Sequence, residues 1–330
     1  MLNCITPPSS MTRRRALGLA LGATALACAP AHAQQAAPLD VVATTGMIAD
    51  AARRVGGDRV EVHALMGPGI DPHSYRQTRS DIAALARADL VLWHGLYLEA
   101  QMEEFLLKLA ERSPVVAVGE AVPEADRIAH EDYEGRYDPH VWMVPDLWSP
   151  VVDRIAEALS AARPEDAEDF AVNAARYKGD LARLGGYAAG VLASVPVSAQ
   201  VLVTAHDAFG YFGRAYGYQV EGIQGLSTES EAGLARIRDL VDLLVRRQIR
   251  AVFVESTVSD RNIRALIEGA AAQGHEVIVG GELFSDAMGI PGTYEGSYLG
   301  MIDHNVTTIA RALGGVAPAR GMDGILAAGG

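Results

Sequence analysis

The stretch PEDAEDFAVNAARYKGDLARLGGYAAGVLAS, residues 164–194, decides the architecture. Within it Phe170, Ala174, Tyr177, Leu181, Leu184, Ala188 and Val191 recur at alternating spacings of four and three, the apolar stripe of one sustained helix. Pro164 suits the first helical position, where its missing N–H costs nothing. At ~1.5 Å per residue such a helix spans roughly 45 Å, more than any other helix the sequence predicts. Gly185-Gly186 weakens it locally. On either side the pattern changes to short apolar runs alternating with amphipathic stretches, which is how α/β lobes read. A chain of 330 residues also exceeds one ordinary hydrophobic core. The predicted fold is therefore α/β, two Rossmann-like lobes joined by one long α-helix. The N-terminal lobe takes residues 34–163, the connecting helix 164–194 and the C-terminal lobe 195–330.

In the first lobe, strands are expected over 39–44, 60–66, 90–93 and 115–118. Helices are expected over 46–55, 81–88 (capped by Ser80) and 99–109, and a further one over 147–161. Residues 121–137 are polar and contain proline, so they read as a loop. In the second lobe, strands are expected over 200–204, 218–223, 251–255 and 276–279, and helices over 231–246, 262–273 and 298–312. No tandem repeat of 20–50 residues is visible.

The N-terminus reads as an export signal. Arg13, Arg14 and Arg15 form a basic segment, residues 16–29 an apolar core, and Ala31-His32-Ala33 a small-x-small cleavage site. Thr12-Arg13-Arg14-Arg15-Ala16-Leu17 reads equally as a twin-arginine signal or as part of a plain secretory one, and Met11 is an alternative start. A lipoprotein anchor at Cys28 is disfavoured, because Ala25 stands where a larger aliphatic residue is usual. Loss of residues 1–33 removes three arginines and no acid, taking the net charge from −13 to −16. So acidic a chain repels nucleic acid and anionic lipid and attracts cations weakly. Both cysteines, Cys4 and Cys28, leave with the leader, so a metal site in the mature chain must be built from His, Asp and Glu.

Four residues stand where ligands bind in open α/β sheets, beyond the carboxyl ends of strands. His73 and His140 each follow an Asp-Pro pair, His206 follows the strand at 200–204, and Asp286 follows the strand at 276–279. Singly, each has a plainer reading. A lone histidine at a strand end is ordinarily a packed or surface residue, Asp286 would equally cap the turn after it, and Asp71 and Asp138 would stabilise their loops. Together, two from each lobe, three imidazoles and a carboxylate suffice to hold a divalent ion. His94, at a strand end, could line the cleft but reads first as a packing residue, while His63, inside a strand, and His275 and His304, on helix or turn surfaces, read as non-ligands. Glu255 reads first as an ordinary strand-end acid, with a hydrogen bond behind a ligand or an ion pair between the lobes as the alternative. Ser227-Thr228-Glu229 is expected to make a turn and helix cap near the cleft.

Gly67-Pro68-Gly69-Ile70-Asp71-Pro72-His73-Ser74-Tyr75 and Asp138-Pro139-His140-Val141-Trp142 resemble the first two ligand loops of the metal-binding solute receptors of the ZnuA/TroA type. Thr204-Ala205-His206-Asp207-Ala208-Phe209-Gly210 and Gly281-Glu282-Leu283-Phe284-Ser285-Asp286 resemble the third and fourth. The resemblance covers essentially the whole mature chain and is nearest to TroA-like zinc/manganese receptors. It implies a periplasmic binding protein that holds Zn2+ or Mn2+ as cargo between its lobes, through His73, His140, His206 and Asp286. It implies delivery to the membrane permease and ATPase of an ABC importer by a monomer that binds no nucleic acid. Dedicated zinc receptors often carry a long His- and acid-rich loop before the second ligand. Here residues 121–137 are short and hold only His130. Manganese-dedicated members usually place a carboxylate where this chain has His206, so both metals stay open.

Two other classes remain in view. A zinc-dependent hydrolase would need an open coordination position and a general base, and the chain has no His-Glu-x-x-His or Gly-x-Ser-x-Gly. A surface adhesin would reuse the receptor fold.

Overall fold

The computed structural model describes Met1 and residues 37–130, 133–229 and 232–327. The expected leader, with Cys4, Cys28 and the arginine motif, lies outside the described residues. The first lobe lays down β1 (Leu39–Ala43), α1 (Gly46–Gly56), β2 (Val60–Ala64), α2 (Arg79–Leu85), β3 (Leu90–Trp93), α3 (Glu103–Ala110) and β4 (Val115–Ala117), followed by α4 (Pro145–Ala162). Its sheet is all parallel in the order β2-β1-β3-β4. The 3-10 turn Pro164–Asp166 then leads into α5 (Ala167–Leu192), of 26 residues. The second lobe comprises β5 (Val201–Thr204), α6 (Gly210–Tyr216), β6 (Gln219–Gly222), α7 (Leu234–Arg247), β7 (Ala251–Glu255), α8 (Arg261–Ala272), β8 (Ile278–Leu283) and α9 (Tyr298–Ala312). Parallel pairs β5–β6 and β7–β8 lie with β5 beside β7.

The long helix is where the stripe placed it, and all seven stripe residues are buried. It is more than a strut. Its buried face packs against α1 and α4 on one side and α9 on the other, so one apolar core runs through helices of both lobes. Leu181 and Leu184 are sealed in that core, and truncating either to alanine is expected to cost about 2–5 kcal/mol. Trp148 stacks on Tyr298 at 5.5 Å, which joins α4 to α9 directly.

Differences from the sequence expectation have local causes. Thr78, not Ser80, caps α2: its hydroxyl accepts from Asp81 N while the Asp81 carboxylate accepts from Thr78 N, a reciprocal box. The helix expected from residue 99 starts at Glu103, because Gly95, Leu96 and Tyr97 all take left-handed backbone (φ 77°, 51° and 70°). Strand β8 runs through Gly280 and Gly281 rather than stopping before them. It does so by a bulge, with Val252 opposite Val279 and Phe253 opposite Gly281. A Cβ at Gly281 would lie 2.4 Å from Thr308 Cγ2, so glycine lets α9 press onto the strand. Helix α6 fills the interval between the strands expected over 200–204 and 218–223, where the sequence reading placed no element. His275 is buried, with Nε2 2.6 Å from Ile249 O, and is not a surface residue.

Candidate metal centre

All four sequence-selected residues meet at one point. His73, His140, His206 and Asp286 each bring one ligating atom within 4.8 Å of the others, and none is more than 3% exposed. His73 lies within the loop between β2 and α2, and His140 ends the long connection after β4. His206 sits two residues beyond β5, and Asp286 three beyond β8. Parallel strands aim their carboxyl ends at the same cleft, which is why residues so far apart in sequence converge.

The spacing suits a small cation. His73 Nε2 lies 3.3 Å from His140 Nε2. Asp286 offers Oδ1 at 3.4 Å from His140 Nε2, and Oδ2 at 3.2 Å from His206 Nε2 and 3.9 Å from His73 Nε2. Ligand bonds of about 2.0–2.1 Å in a tetrahedron put donors roughly 3.3 Å apart, close to these separations. Both Asp286 oxygens and His206 Nε2 are buried without a well-directed hydrogen bond. A cation at the centre would satisfy all three.

Two of the imidazoles are oriented from behind, and the third is held through its backbone. Asp138 Oδ1 accepts from His140 N (2.9 Å) and from His140 Nδ1 (2.7 Å), which leaves Nε2 facing the centre. Glu255 Oε1 accepts from His206 N at 2.9 Å, and its Oε2 lies 2.5 Å from His206 Nδ1. Asp71 holds the His73 turn through its backbone, accepting from His73 N (2.9 Å) and Ser74 Oγ (2.8 Å). The same carboxylate accepts from Thr228 Oγ1 of the second lobe at 2.6 Å. Tyr211 donates across the cleft to Asp138 O at 2.8 Å, and Trp142 Nε1 to Ser285 O at 2.8 Å, next to Asp286.

The carboxylate and the imidazoles perturb one another's ionisation. Burial opposes ionisation of Asp286, yet His206, His140 and His73 outweigh it and hold the carboxyl well below its usual range. Burial likewise works against charge on His140, but Asp138 and Asp286 raise it to about 9. His206 is raised well above the ordinary range, with Glu255 and Asp286 overcoming burial. His73 has no carboxylate behind its ring. Burial, helped by His140 and His206 and opposed by Asp286, drops it to about 4. A metal entering this set displaces protons from the imidazoles.

Among the plainer readings, some stand and some fall. Asp71 and Asp138 stabilise their loops as expected, Asp71 through backbone and hydroxyl donors and Asp138 through its histidine. Asp286 caps no helix, because Ser297 caps α9 and no helix begins between them. Ser227-Thr228-Glu229 forms a turn, with Glu229 N donating to Ser227 Oγ, but α7 starts later after Gly233. Glu255 takes the alternative expected of it and not the plainer one: it is the carboxylate behind His206. Its signal is an acid ending a wholly apolar run, AVFVE, beside a strand that is followed two residues later by a histidine. His94 is buried and outside the donor set, as expected.

The chain is similar to known proteins over most of its length. The family described as "ZnuA: Zinc-uptake complex component A periplasmic" matches residues 41–312. The chain is 50% identical over 276 residues to the manganese-binding lipoprotein MntA of Bacillus subtilis, covering 83% of this chain and 90% of that one. It is 44% identical over 298 residues to the zinc-binding protein TroA of Treponema pallidum, covering 90% and 96%. Superposed on the solved structure of that periplasmic protein it gives a TM-score of 0.81, over 84% of this chain and 99% of the other. Fe(III)-bound YtgA of Chlamydia trachomatis is similar at a TM-score of 0.76 and 29% identity, over 84% and 99%. With the two-lobe fold and most of its length matched, the chain belongs to the ZnuA family of metal-binding solute receptors.

Proposed function

We propose that this protein is an extracytoplasmic receptor that captures a divalent metal ion, zinc or manganese, and passes it to the permease and ATPase of an ABC importer. The observation that carries the reading is the convergence of three imidazoles and one carboxylate, all buried, with both Asp286 oxygens and His206 Nε2 lacking a hydrogen-bond partner. His73, His140, His206 and Asp286 are the proposed ligands. Relatives named for manganese and for zinc stand close to this chain, which supports both metals as candidates. Three imidazoles favour zinc, since manganese prefers oxygen donors. Asp286 faces the centre with both oxygens and so can offer a second one to the harder ion. A hydrolytic zinc site keeps a position open for water, whereas four buried protein donors here can close the shell, which favours storage and transfer over catalysis.

Residues 1–33 are proposed to be a leader removed on export, leaving a mature N-terminus at Gln34 and a monomer in the periplasm. The lobes are proposed to divide at 163/164 and 194/195. Metal-stripped mature protein, melted alone and with zinc or manganese, tests the assignment. At a thousandfold excess over Kd the ion should stabilise the fold by about 4 kcal/mol. For a chain of this size that raises Tm by roughly 8 °C. A melting temperature indifferent to zinc, manganese and chelator alike would sink the receptor reading.

A further inference from the structure

The ligand His140 sits on a loop, and a loop alone does not hold a donor to a fraction of an ångström. Two consecutive carbonyls before it are gripped from opposite sides. Asp138 O accepts from Tyr211 of the second lobe, and Pro139 O lies 2.7 Å from His94 Nε2 of the first. A carbonyl only accepts, so His94 Nε2 donates, directly to the peptide that precedes His140. His94 has no freedom to let go. Its ring is 1% exposed, edge-on to Trp142 at 5.0 Å and parallel to Trp148 at 6.3 Å. Gly119 closes the remaining side, since a Cβ there would come within 2.7 Å of His94 Nε2.

The backbone beneath that ring is unusual. Gly95, Leu96 and Tyr97 are consecutive residues at positive φ, and two of them carry a Cβ that disfavours it. Glu99 holds the turn. Its buried carboxylate accepts from His94 N at 2.7 Å, from Gly95 N at 3.2 Å and from Thr44 Oγ1 at the end of β1 at 2.6 Å. None of these groups touches the four donors. Their contacts nonetheless form one chain, from β1 through Glu99 and His94 to the His140 peptide.

We infer that Glu99 and His94 are positioning residues for the metal site: Glu99 fixes the turn that carries His94, and the His94 Nε2–H fixes where His140 presents its donor. The inference rests on the receptor reading above. It takes the bond to Pro139 O, and not simply the bulk of the ring, to be what the site needs.

The test compares His94→Ala, His94→Asn, His94→Gln and Glu99→Ala with the wild type in the full mature chain. Three measurements are made: zinc affinity by chelator competition, melting of the metal-free protein, and the number of imidazoles around zinc by X-ray absorption. Loss of a partner behind a metal ligand typically weakens binding 10–100-fold. His94→Ala and Glu99→Ala should fall in that range and lose one imidazole from the zinc shell. His94→Gln, whose amide N–H reaches toward Pro139 O, should recover most of the affinity, while the shorter His94→Asn should not. If His94→Ala fails to fold, the asparagine and glutamine pair decides, and equal affinities overturn the inference. Unchanged affinity and three imidazoles in His94→Ala, with only a lower melting temperature, would reduce His94 to packing. Wild type that binds neither zinc nor manganese overturns the receptor reading and this inference with it.

Discussion

Replacing Thr228 by valine removes one hydroxyl at nearly constant volume, and the bound ion should then leave about ten times faster. Thr228 is half-buried on the second lobe, and its hydroxyl donates at 2.6 Å to Asp71, two residues before His73 on the first. For His73 to swing away from the ion, that bond must break. Hydrogen bonds to a charged acceptor contribute roughly 1.5–3 kcal/mol. Asp71 keeps His73 N and Ser74 Oγ as donors after the change, so the lower figure applies. About 1.4 kcal/mol off a barrier is a tenfold rate. The assay mixes zinc-loaded protein with excess chromogenic chelator in a stopped-flow instrument and reads release directly. Metal-free Thr228→Val should melt within a few degrees of wild type, since no buried apolar contact is lost. Release within twofold of wild type would refute the reasoning, because the loop carrying His73 would then leave without breaking this contact.

Three other outcomes follow from the same geometry. Glu255→Ala should weaken zinc binding 10–100-fold by freeing the His206 ring, measurable by chelator competition, and an unchanged Kd would remove Glu255 from the site's support. Burial lifts Glu99 to about 7 from an ordinary 4.5, against the pull of Thr44 and the His94 and Gly95 amides. The folded state therefore keeps a proton that the unfolded chain has lost between those values. Metal-free stability should accordingly fall as pH rises through that window, by on the order of 3 kcal/mol. Denaturant titrations of Glu99→Gln should lack that component of the slope, and parallel curves would contradict it. A double Gly185→Ala, Gly186→Ala variant should keep its zinc affinity and gain up to about 1 kcal/mol per site, because α5 is unbroken there. The new methyls meet only Asp146 Oδ1 at 3.4 Å and Pro145 Cβ at 3.9 Å beside Gly185, and nothing beside Gly186. Loss of affinity, or a change in solution radius with metal that this variant abolishes, would make the glycines a hinge.

Much of the site was legible because chemistry and position coincided. Asp-Pro-His occurs twice, His206 and Asp286 follow short apolar strands, and residues 34–330 contain no cysteine to compete as a ligand. The elements that were misjudged share a cause: a side chain or neighbouring element overrode local preference. Glu99 reads as a good helix former, yet its carboxylate stabilises a left-handed turn instead and α3 starts four residues later. Gly280-Gly281 reads as a strand terminator, yet the absent side chains are what allow α9 to pack on β8.

Sequence by itself determined the α/β alternation and the long helix, and it singled out the four residues proposed here as donors. Apolar periodicity and strand-end placement depend only on which residues follow which. Only the tertiary structure decided that the donors lie within 4.8 Å of one another around one point. It alone decided that Glu255 and not another acid stands behind His206, and that α5 is packed along its length by helices of both lobes. The reason is physical. Distances between residues 73, 140, 206 and 286 are set by how the strands of both lobes and helices α1, α4, α5 and α9 pack around a shared core, and no local run of sequence carries that information.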